Sequence, residues 1–138
     1  ELEKQSIYLE GIILKPNMIV SGIECSEQAG VEEVADRTVE CLKVTVPADV
    51  PGCAFLSGGQ SNENATAHLN MMNSKHEGSL PWNLSFSYGR ALQASALTTW
   101  SGKDENIPVA QEAFLQRAKF NGMATKGTYS EALETEMA

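Results

Sequence analysis

The stretch CAFLSGGQS, residues 53–61, decides how this chain is expected to fold. Its first four residues are apolar, and so short a run is typical of a strand inside a sheet. Small residues follow at once and lead directly into a helical pattern over 61–74. Glycine lets a ligand approach the backbone closely, and the amides at a helix N-terminus suit an anion. The stretch therefore predicts an interior strand that ends either in an ordinary strand-to-helix turn or in an anion-binding loop.

The same order of strand, loop and helix recurs on both sides of that stretch. Upstream, the run IYLEGIIL at 7–14 predicts a strand buried on both faces. Downstream, WNLSFS at 82–87 predicts a third strand, which continues through SYGRALQ into a short helix. This alternation predicts an α/β fold whose parallel strands are joined by right-handed crossovers. The predicted helices cover 31–44, 61–74, 90–100 and 106–122.

Helical periodicity predicts which side of each longer helix faces the core. Asn106 and Gly122 are expected to cap the last helix. From Met123 onward the residues become small and acidic, which predicts a flexible tail over 123–138 behind a folded part over 1–122. The predicted inner faces consist of Val31, Val34, Ala35, Thr38 and Leu42 in the first helix, Ala65, Leu69 and Met72 in the second, and Ala110, Ala113, Phe114 and Ala118 in the last.

Two architectures fit this pattern, a doubly wound sheet and a (β/α)-barrel. A doubly wound dinucleotide-binding domain would need G-x-G-x-x-G after its first strand, and the sequence has none. Glycine-containing loops instead follow the last two strands, and the second loop feeds a short extra helix, as in the usual phosphate site of a (β/α)8 barrel. The barrel is therefore favoured. A complete barrel takes about 250 residues, so this chain is expected to be a piece of a barrel or a subunit that completes its sheet with another chain.

Composition narrows the classes of partner. The 138 residues carry a formal net charge of −8, which argues against nucleic acid and anionic membranes as partners. No apolar run approaches the ~18 residues that a membrane span needs, and the N-terminal ELEKQSIYLEG resembles neither a signal nor a transit peptide. Two histidines and three scattered cysteines show no ligand spacing, so no metal is expected. The cysteines are expected to be free thiols in the cytoplasm, with the plastid stroma as an alternative.

A lysine–proline pair follows the first predicted strand in GIILKPNM, residues 11–18. Pro16 prevents the hydrogen-bond ladder of the strand from continuing. Lys15 is then either a solubilising end of the strand or an amine held at the mouth of the core. A lysine amine has a pKa of about 10.4 in water. Desolvation or a neighbouring cation would lower that pKa and free the nucleophile.

Five motifs, in order along the chain, resemble the C-terminal part of class I fructose-1,6-bisphosphate aldolase. They are YLEGIILKPNM, FLSGGQS, LPWNLSFSYGRALQASAL, GKDEN and AQEAFLQRAKFNG, and the resemblance runs from about Tyr8 to about Tyr129. It implies a (β/α)8 TIM barrel of which this chain supplies the last three strand–helix units. It also implies a homo-oligomer, a homotetramer in this family, formed together with the rest of the barrel.

The resemblance also implies a reaction and a set of site residues. The family cleaves fructose 1,6-bisphosphate reversibly to dihydroxyacetone phosphate and glyceraldehyde 3-phosphate, in glycolysis and gluconeogenesis, without a cofactor. Lys15 matches the lysine that forms the Schiff base with the ketose. The phosphate of this sugar substrate is expected to lie between the two glycine loops, where the planar guanidinium of Arg90 suits it. The phosphate-binding residues would be Ser57, Gly58 and Gly59 in the first loop and Ser87, Gly89 and Arg90 in the second.

A rival reading is a non-catalytic half-barrel, acting as an interaction module or as a fragment of such an enzyme. In the family, the acid and base residues and the second phosphate site belong to earlier strands, outside this sequence. The family's closing tyrosine also has no counterpart, since the last tyrosine here is Tyr129. The activity of this chain alone is therefore expected to be weak, because general acid–base help contributes about 10²–10⁴-fold in rate.

Overall fold

The computed structural model describes residues 3–136 and contains a sheet of three parallel strands in the order β1-β2-β3. In register, Ile13 pairs with Gly52 and Gly52 with Asn83, so consecutive strands lie side by side. The strands are β1 (Ile13–Leu14), β2 (Gly52–Phe55) and β3 (Asn83–Phe86), and the helices are α1 (Val31–Thr45), α2 (Asn62–Lys75), α3 (Arg90–Trp100), α4 (Ile107–Ala124) and α5 (Ala132–Glu136). The predicted order of strands and helices is confirmed up to α4.

Within residues 3–136, the helices cover only one face of this sheet. Leu14, Cys53 and Leu84 pair across the strands, and Cys53 and Leu84 are buried under the helices. Side chains alternate between faces along a strand, so Ile13 and Asn83 lie on the opposite face. Both of them are exposed. Because a doubly wound sheet carries helices on both faces, this one-sided arrangement is consistent with part of a barrel wall.

The first strand differs from its prediction. Leu9–Gly11 forms a 3-10 turn, and only Ile13–Leu14 pairs with β2. The expectation of a strand over 7–14 buried on both faces is wrong, since the Ile13 side chain is 63% exposed. The turn depends on a close approach of the Tyr8 ring to Gly11, where a Cβ atom would lie 2.7 Å from Tyr8 Cδ1.

The inner faces of α1 and α2 are confirmed. The buried residues of α1 include all of the predicted face except the half-buried Val31, and Val39 joins them. In α2, the predicted Ala65, Leu69 and Met72 are fully buried. These helices pack against each other and against Cys53 and Phe55 in the centre of the hydrophobic core.

The inner face of α4 is wrong in the sequence-based prediction. Of the predicted stripe only Ala110 is buried, and Phe114 is 40% exposed. The buried side instead includes two polar residues, Arg117 and Asn121, whose side chains form hydrogen bonds with α2, with α4 itself and, from Arg117, with α5. The Nε of Arg117 is buried and has no hydrogen-bond partner among residues 3–136. A search for apolar periodicity could not recognise this face. The other buried residues of the helix are Phe120 and Ala124.

The ends of α4 also differ from the predicted caps. The Asn106 side chain donates to Trp100 O at 3.2 Å and makes no capping hydrogen bond to α4. The helix continues through Gly122 to Ala124, so the predicted boundary between 122 and 123 falls inside it.

The residues that follow α4 are folded against the rest of the chain. The Tyr129 side chain is 6% exposed, and its backbone N–H donates to Asn70 Oδ1 at 2.8 Å. Gly127, at φ +66°, passes so close to Ser74 that a Cβ atom would lie 2.8 Å from the Ser74 Cα. The flexibility predicted for the tail stays a prediction, and its last two residues, 137 and 138, lie outside the described residues. No helix within residues 3–136 is long and apolar enough to cross a membrane.

Candidate active site

The C-terminal ends of the three strands meet at one edge of the sheet. Leu56 N donates to Pro16 O at 3.0 Å, and Ser87 N donates to Phe55 O at 2.8 Å. The first bond ties the end of β1 to β2, and the second ties the end of β2 to β3. Parallel strands carry ligand sites at their carboxyl ends. The loops that contain the predicted site residues therefore adjoin one another.

Lys15 follows β1 immediately and lies on the face without helices. It is one residue beyond Leu14, so strand alternation places it on the same side as Ile13. Its backbone is held by Pro16, and Asn17 Nδ2 donates to Gly58 O at 3.4 Å. Lys15 is an exposed residue, since nothing within residues 3–136 covers it. The structure thus places Lys15 beside the first glycine loop, and its role as a nucleophile stays a prediction.

The first glycine loop is a tight turn over Ser57–Gln60. Gln60 N donates to Ser57 O at 3.2 Å, and Gly59 has φ +79°. A positive φ at the third position is the requirement of a type II turn, and glycine meets it without steric strain. Ser57 is buried, and Ser61 Oγ caps α2 by accepting from Asn64 N at 3.0 Å. The turn therefore delivers the chain directly into the N-terminus of α2, as predicted.

The second glycine loop leads into α3 in the same way. Gly89 precedes the helix, and its carbonyl accepts from Leu92 N and Gln93 N. Ser87 and Gly89 are exposed at this edge. The predicted residues of both loops thus lie at the N-termini of two neighbouring helices.

Arg90 joins the two loops. Its Nη2 donates to Ser57 O at 3.2 Å and also to Gln60 O, and its Nη1 donates to Asn62 Oδ1 at 3.2 Å. The sequence predicted Arg90 as a phosphate ligand, whereas the structure shows it first as a clamp on the opposite turn. A guanidinium has five N–H groups. These contacts leave Nε–H and one Nη1–H without an acceptor among residues 3–136, and both could meet an anion.

Sequence reasoning missed a buried pair behind the first loop. His68 Nδ1 lies 2.7 Å from Gln60 Oε1, and both side chains are buried. Burial lowers the pKa of His68 to about 4. The ring is therefore neutral near pH 7, and its Nδ1–H donates to Gln60. The sequence signals that could have revealed this pair were a glutamine in the loop and a histidine eight positions later, about two turns into the helix.

The described residues contain no group of three or more His, Cys, Asp or Glu that could hold a metal ion. What the site offers is a primary amine, two turns with backbone amides and a guanidinium, all at one sheet edge. A primary amine can form an imine with a carbonyl compound. Helix N-termini together with a guanidinium suit a phosphate group.

Comparisons with known proteins agree on one family. The sequence-family model for fructose-bisphosphate aldolase class-I matches residues 1–138. Fructose-bisphosphate aldolase B of Sparus aurata is 51% identical over 139 residues, covering 99% of this chain and 37% of that protein. The probable class 1 enzyme of Xanthomonas campestris pv. campestris is 56% identical over 130 residues, covering 93% of this chain and 38% of that protein.

A solved structure agrees with these sequence matches. It is fructose-bisphosphate aldolase from Plasmodium falciparum in complex with TRAP and a small-molecule inhibitor. It matches with a TM-score of 0.88 at 50% identity, and the match covers 94% of this chain and 37% of that one. The chain therefore spans a little over a third of the length of the relatives it matches.

Proposed function

The chain belongs to the class-I fructose-bisphosphate aldolase family, and from that premise we propose that it supplies the imine-forming lysine and one phosphate site of an aldolase. The observation that carries the proposal is the clamp of Arg90 across the first glycine loop, at the sheet edge that also holds Lys15. The reaction proposed is the reversible cleavage of fructose 1,6-bisphosphate.

The proposal includes the fold of the complete protein. The three strand–helix units form the last part of a (β/α)8 barrel, and the face that carries Ile13 and Lys15 faces the barrel interior. Three observations support this: the sequential parallel order of the strands, their one-sided cover of helices and the 37% coverage of the structural relative. Strands outside this sequence would complete the wall and give Lys15 the desolvated surroundings that it lacks in residues 3–136.

In the proposed mechanism, Lys15 acts as the nucleophile. Its neutral amine adds to the ketone carbon of the sugar, and loss of water gives an imine. The protonated imine withdraws the electron pair of the neighbouring carbon–carbon bond as that bond breaks, while the adjacent hydroxyl loses its proton and becomes the aldehyde of glyceraldehyde 3-phosphate. The remaining enamine is protonated on carbon, and water releases dihydroxyacetone phosphate and regenerates Lys15. Acid and base groups from the remainder of the barrel would move these protons.

The phosphate next to the ketone is proposed to lie between the two loops. The amides of Gly58 and Gly59 and the hydroxyl of Ser57 face it from one side. Ser87, Gly89 and the remaining N–H groups of Arg90 face it from the other.

The free cysteines Cys25, Cys41 and Cys53 support a reducing compartment, the cytoplasm or the plastid stroma.

A second candidate function follows from the coverage of the relatives. A sequence that matches 37% of the length of these relatives, with an open sheet face in residues 3–136, could serve as a half-barrel that assembles with a complementary partner without catalysis of its own. Aldolase assays on the chain with and without the remaining barrel segment separate the two. Substrate cleavage by the assembled protein supports the first candidate, and binding of the segment without cleavage supports the second.

Borohydride trapping tests the proposed lysine. The full-length polypeptide that carries this sequence is incubated with dihydroxyacetone phosphate, reduced, digested and mapped by mass spectrometry. We expect one adduct, on Lys15, that is lost in Lys15→Ala and kept in Lys43→Ala, a variant of an exposed lysine on α1. An adduct on another lysine, or trapping by Lys15→Ala, would refute the assignment.

A further inference from the structure

Asn62, the first residue of α2, connects three helices beside the candidate phosphate site. Its Oδ1 accepts from Arg90 Nη1 at 3.2 Å, and its Nδ2 donates to Ser95 Oγ of α3 at 3.3 Å. Its backbone carbonyl accepts from Arg117 Nη2 of α4 at 3.0 Å and from Thr66 Oγ1 at 3.0 Å. Both ends of the side-chain amide and the carbonyl are therefore engaged, and the position of Asn62 is fixed from several directions.

The contact from α4 comes from a buried cation. Arg117 is 4% exposed, and its guanidinium donates to Asn62 O and to Thr66 Oγ1. Its counter-charge is Glu134 of α5, whose Oε1 accepts from Arg117 Nη1 at 2.5 Å and from Tyr129 Oη at 2.7 Å. A buried charge must be paired to be tolerated. The position of Arg117 therefore depends on a residue in the segment after α4.

These contacts form one continuous series of hydrogen bonds. It runs from Glu134 through Arg117 and Asn62 to Arg90, and from Arg90 to the carbonyls of the first glycine turn. Two of the three acceptors of Arg90 are backbone carbonyls of that turn, and Asn62 supplies the third. Three acceptors on one planar guanidinium fix its plane as well as its place.

We propose that Asn62 is a positioning residue of the phosphate site, and that Glu134 acts on that site through Arg117 and Asn62. The proposal rests on the proposed function, in which Arg90 binds the substrate phosphate. Asn62 holds the Arg90 guanidinium in place before the anion arrives, so less side-chain freedom is lost on binding. Asn62 itself does not contact the phosphate.

The test measures binding of inorganic phosphate and of dihydroxyacetone phosphate by calorimetry. It uses the full-length polypeptide with Lys15→Ala, so that only non-covalent binding is seen. Arg90→Ala should weaken binding about 10- to 100-fold, as expected for lost hydrogen bonds to a charged group. Asn62→Ala should weaken it about 3- to 10-fold when Arg90 is present. In the Arg90→Ala background, Asn62→Ala should have no further effect, since coupled residues give non-additive changes.

Glu134→Gln tests the far end of the series. It should weaken phosphate binding about 2- to 30-fold, the range seen for residues that act on a site from a distance, and only when Arg90 is present. Glu131→Gln is the matched control, an exposed glutamate in the same segment, and should leave binding unchanged. If Asn62→Ala fails to fold, Glu134→Gln in both Arg90 backgrounds gives the same test.

The outcomes separate the two proposals. If Arg90→Ala weakens binding while Asn62→Ala and Glu134→Gln bind like wild type, the positioning role is overturned and the phosphate site stands. Effects of Asn62→Ala that persist without Arg90 also overturn the positioning role. If Arg90→Ala binds like wild type, the proposed phosphate site is overturned and the positioning role with it.

Discussion

The ion pair between Glu134 and Arg117 allows the contribution of the segment after α4 to the stability of the chain to be measured. Glu134→Ala should destabilise the folded chain by about 2–4 kcal/mol. Removing one partner of a fully buried pair costs about 3–5 kcal/mol. The value here is lower because the Glu134 side chain keeps 21% of its surface exposed and Arg117 retains Asn62 O and Thr66 Oγ1 as acceptors. The variant also deprives Tyr129 Oη of its acceptor.

The destabilisation is specific to an unpaired charge, so removing the charge should reverse it. In Glu134→Ala with Arg117→Met, most of the lost stability should return, because an apolar side chain of similar length needs no counter-ion. Urea unfolding followed by tryptophan fluorescence gives the free energies, with Glu131→Ala as the control, expected within about 0.5 kcal/mol of wild type. A Glu134→Ala variant as stable as wild type would show that the segment is unanchored, as the sequence alone suggested.

Two further predictions concern the first glycine loop. The contribution of His68 to the stability of the chain should fall by about 3 kcal/mol as the pH drops from 6.5 to 4. The cause is that the pKa of His68 is about 4 in the folded state and 6.5 in the unfolded state, so protonation favours the unfolded state. His68→Gln should remove that part of the pH dependence, and equal pH profiles of the two proteins would disprove the prediction. Gly59→Ala should cost about 1–2 kcal/mol, since its φ of +79° is unfavourable for a residue with a Cβ. Gly22→Ala, in open space without a positive φ, is its control, and equal unfolding free energies for the two would contradict the assigned turn.

Local sequence predicted the elements whose partners lie within the chain. The faces of α1 and α2 follow from apolar periodicity, and their partners Cys53 and Phe55 belong to β2 in the same core. The prediction of a strand at 7–14 was wrong because part of its expected packing partners lies outside residues 3–136. The apolar side chains of this stretch are typical of a wall buried on both sides, yet residues 3–136 cover only one side, so Ile13 stays exposed.

The site was predictable in outline, and its internal contacts were not. Lys15 and the two glycine loops are visible as motifs at strand ends, and the structure brings them to one edge. The acceptors of Arg90 include backbone carbonyls of Ser57 and Gln60, which no side-chain pattern encodes. Asn62 and Arg117 are 55 positions apart, and a hydrogen bond across that distance leaves no local signal in either helix.

The place of Cys53 in the sheet gives the protein an internal reporter of opening. Cys25 and Cys41 are exposed, whereas Cys53 is buried in the central strand, and burial raises the pKa of its thiol. An alkylating reagent should therefore modify Cys25 and Cys41 in the folded protein. It should modify Cys53 only when β2 separates from the helices, because burial shields this thiol and disfavours the reactive thiolate. The rate at which the third label appears would time the separation of sheet and helices, independently of fraying at the chain ends.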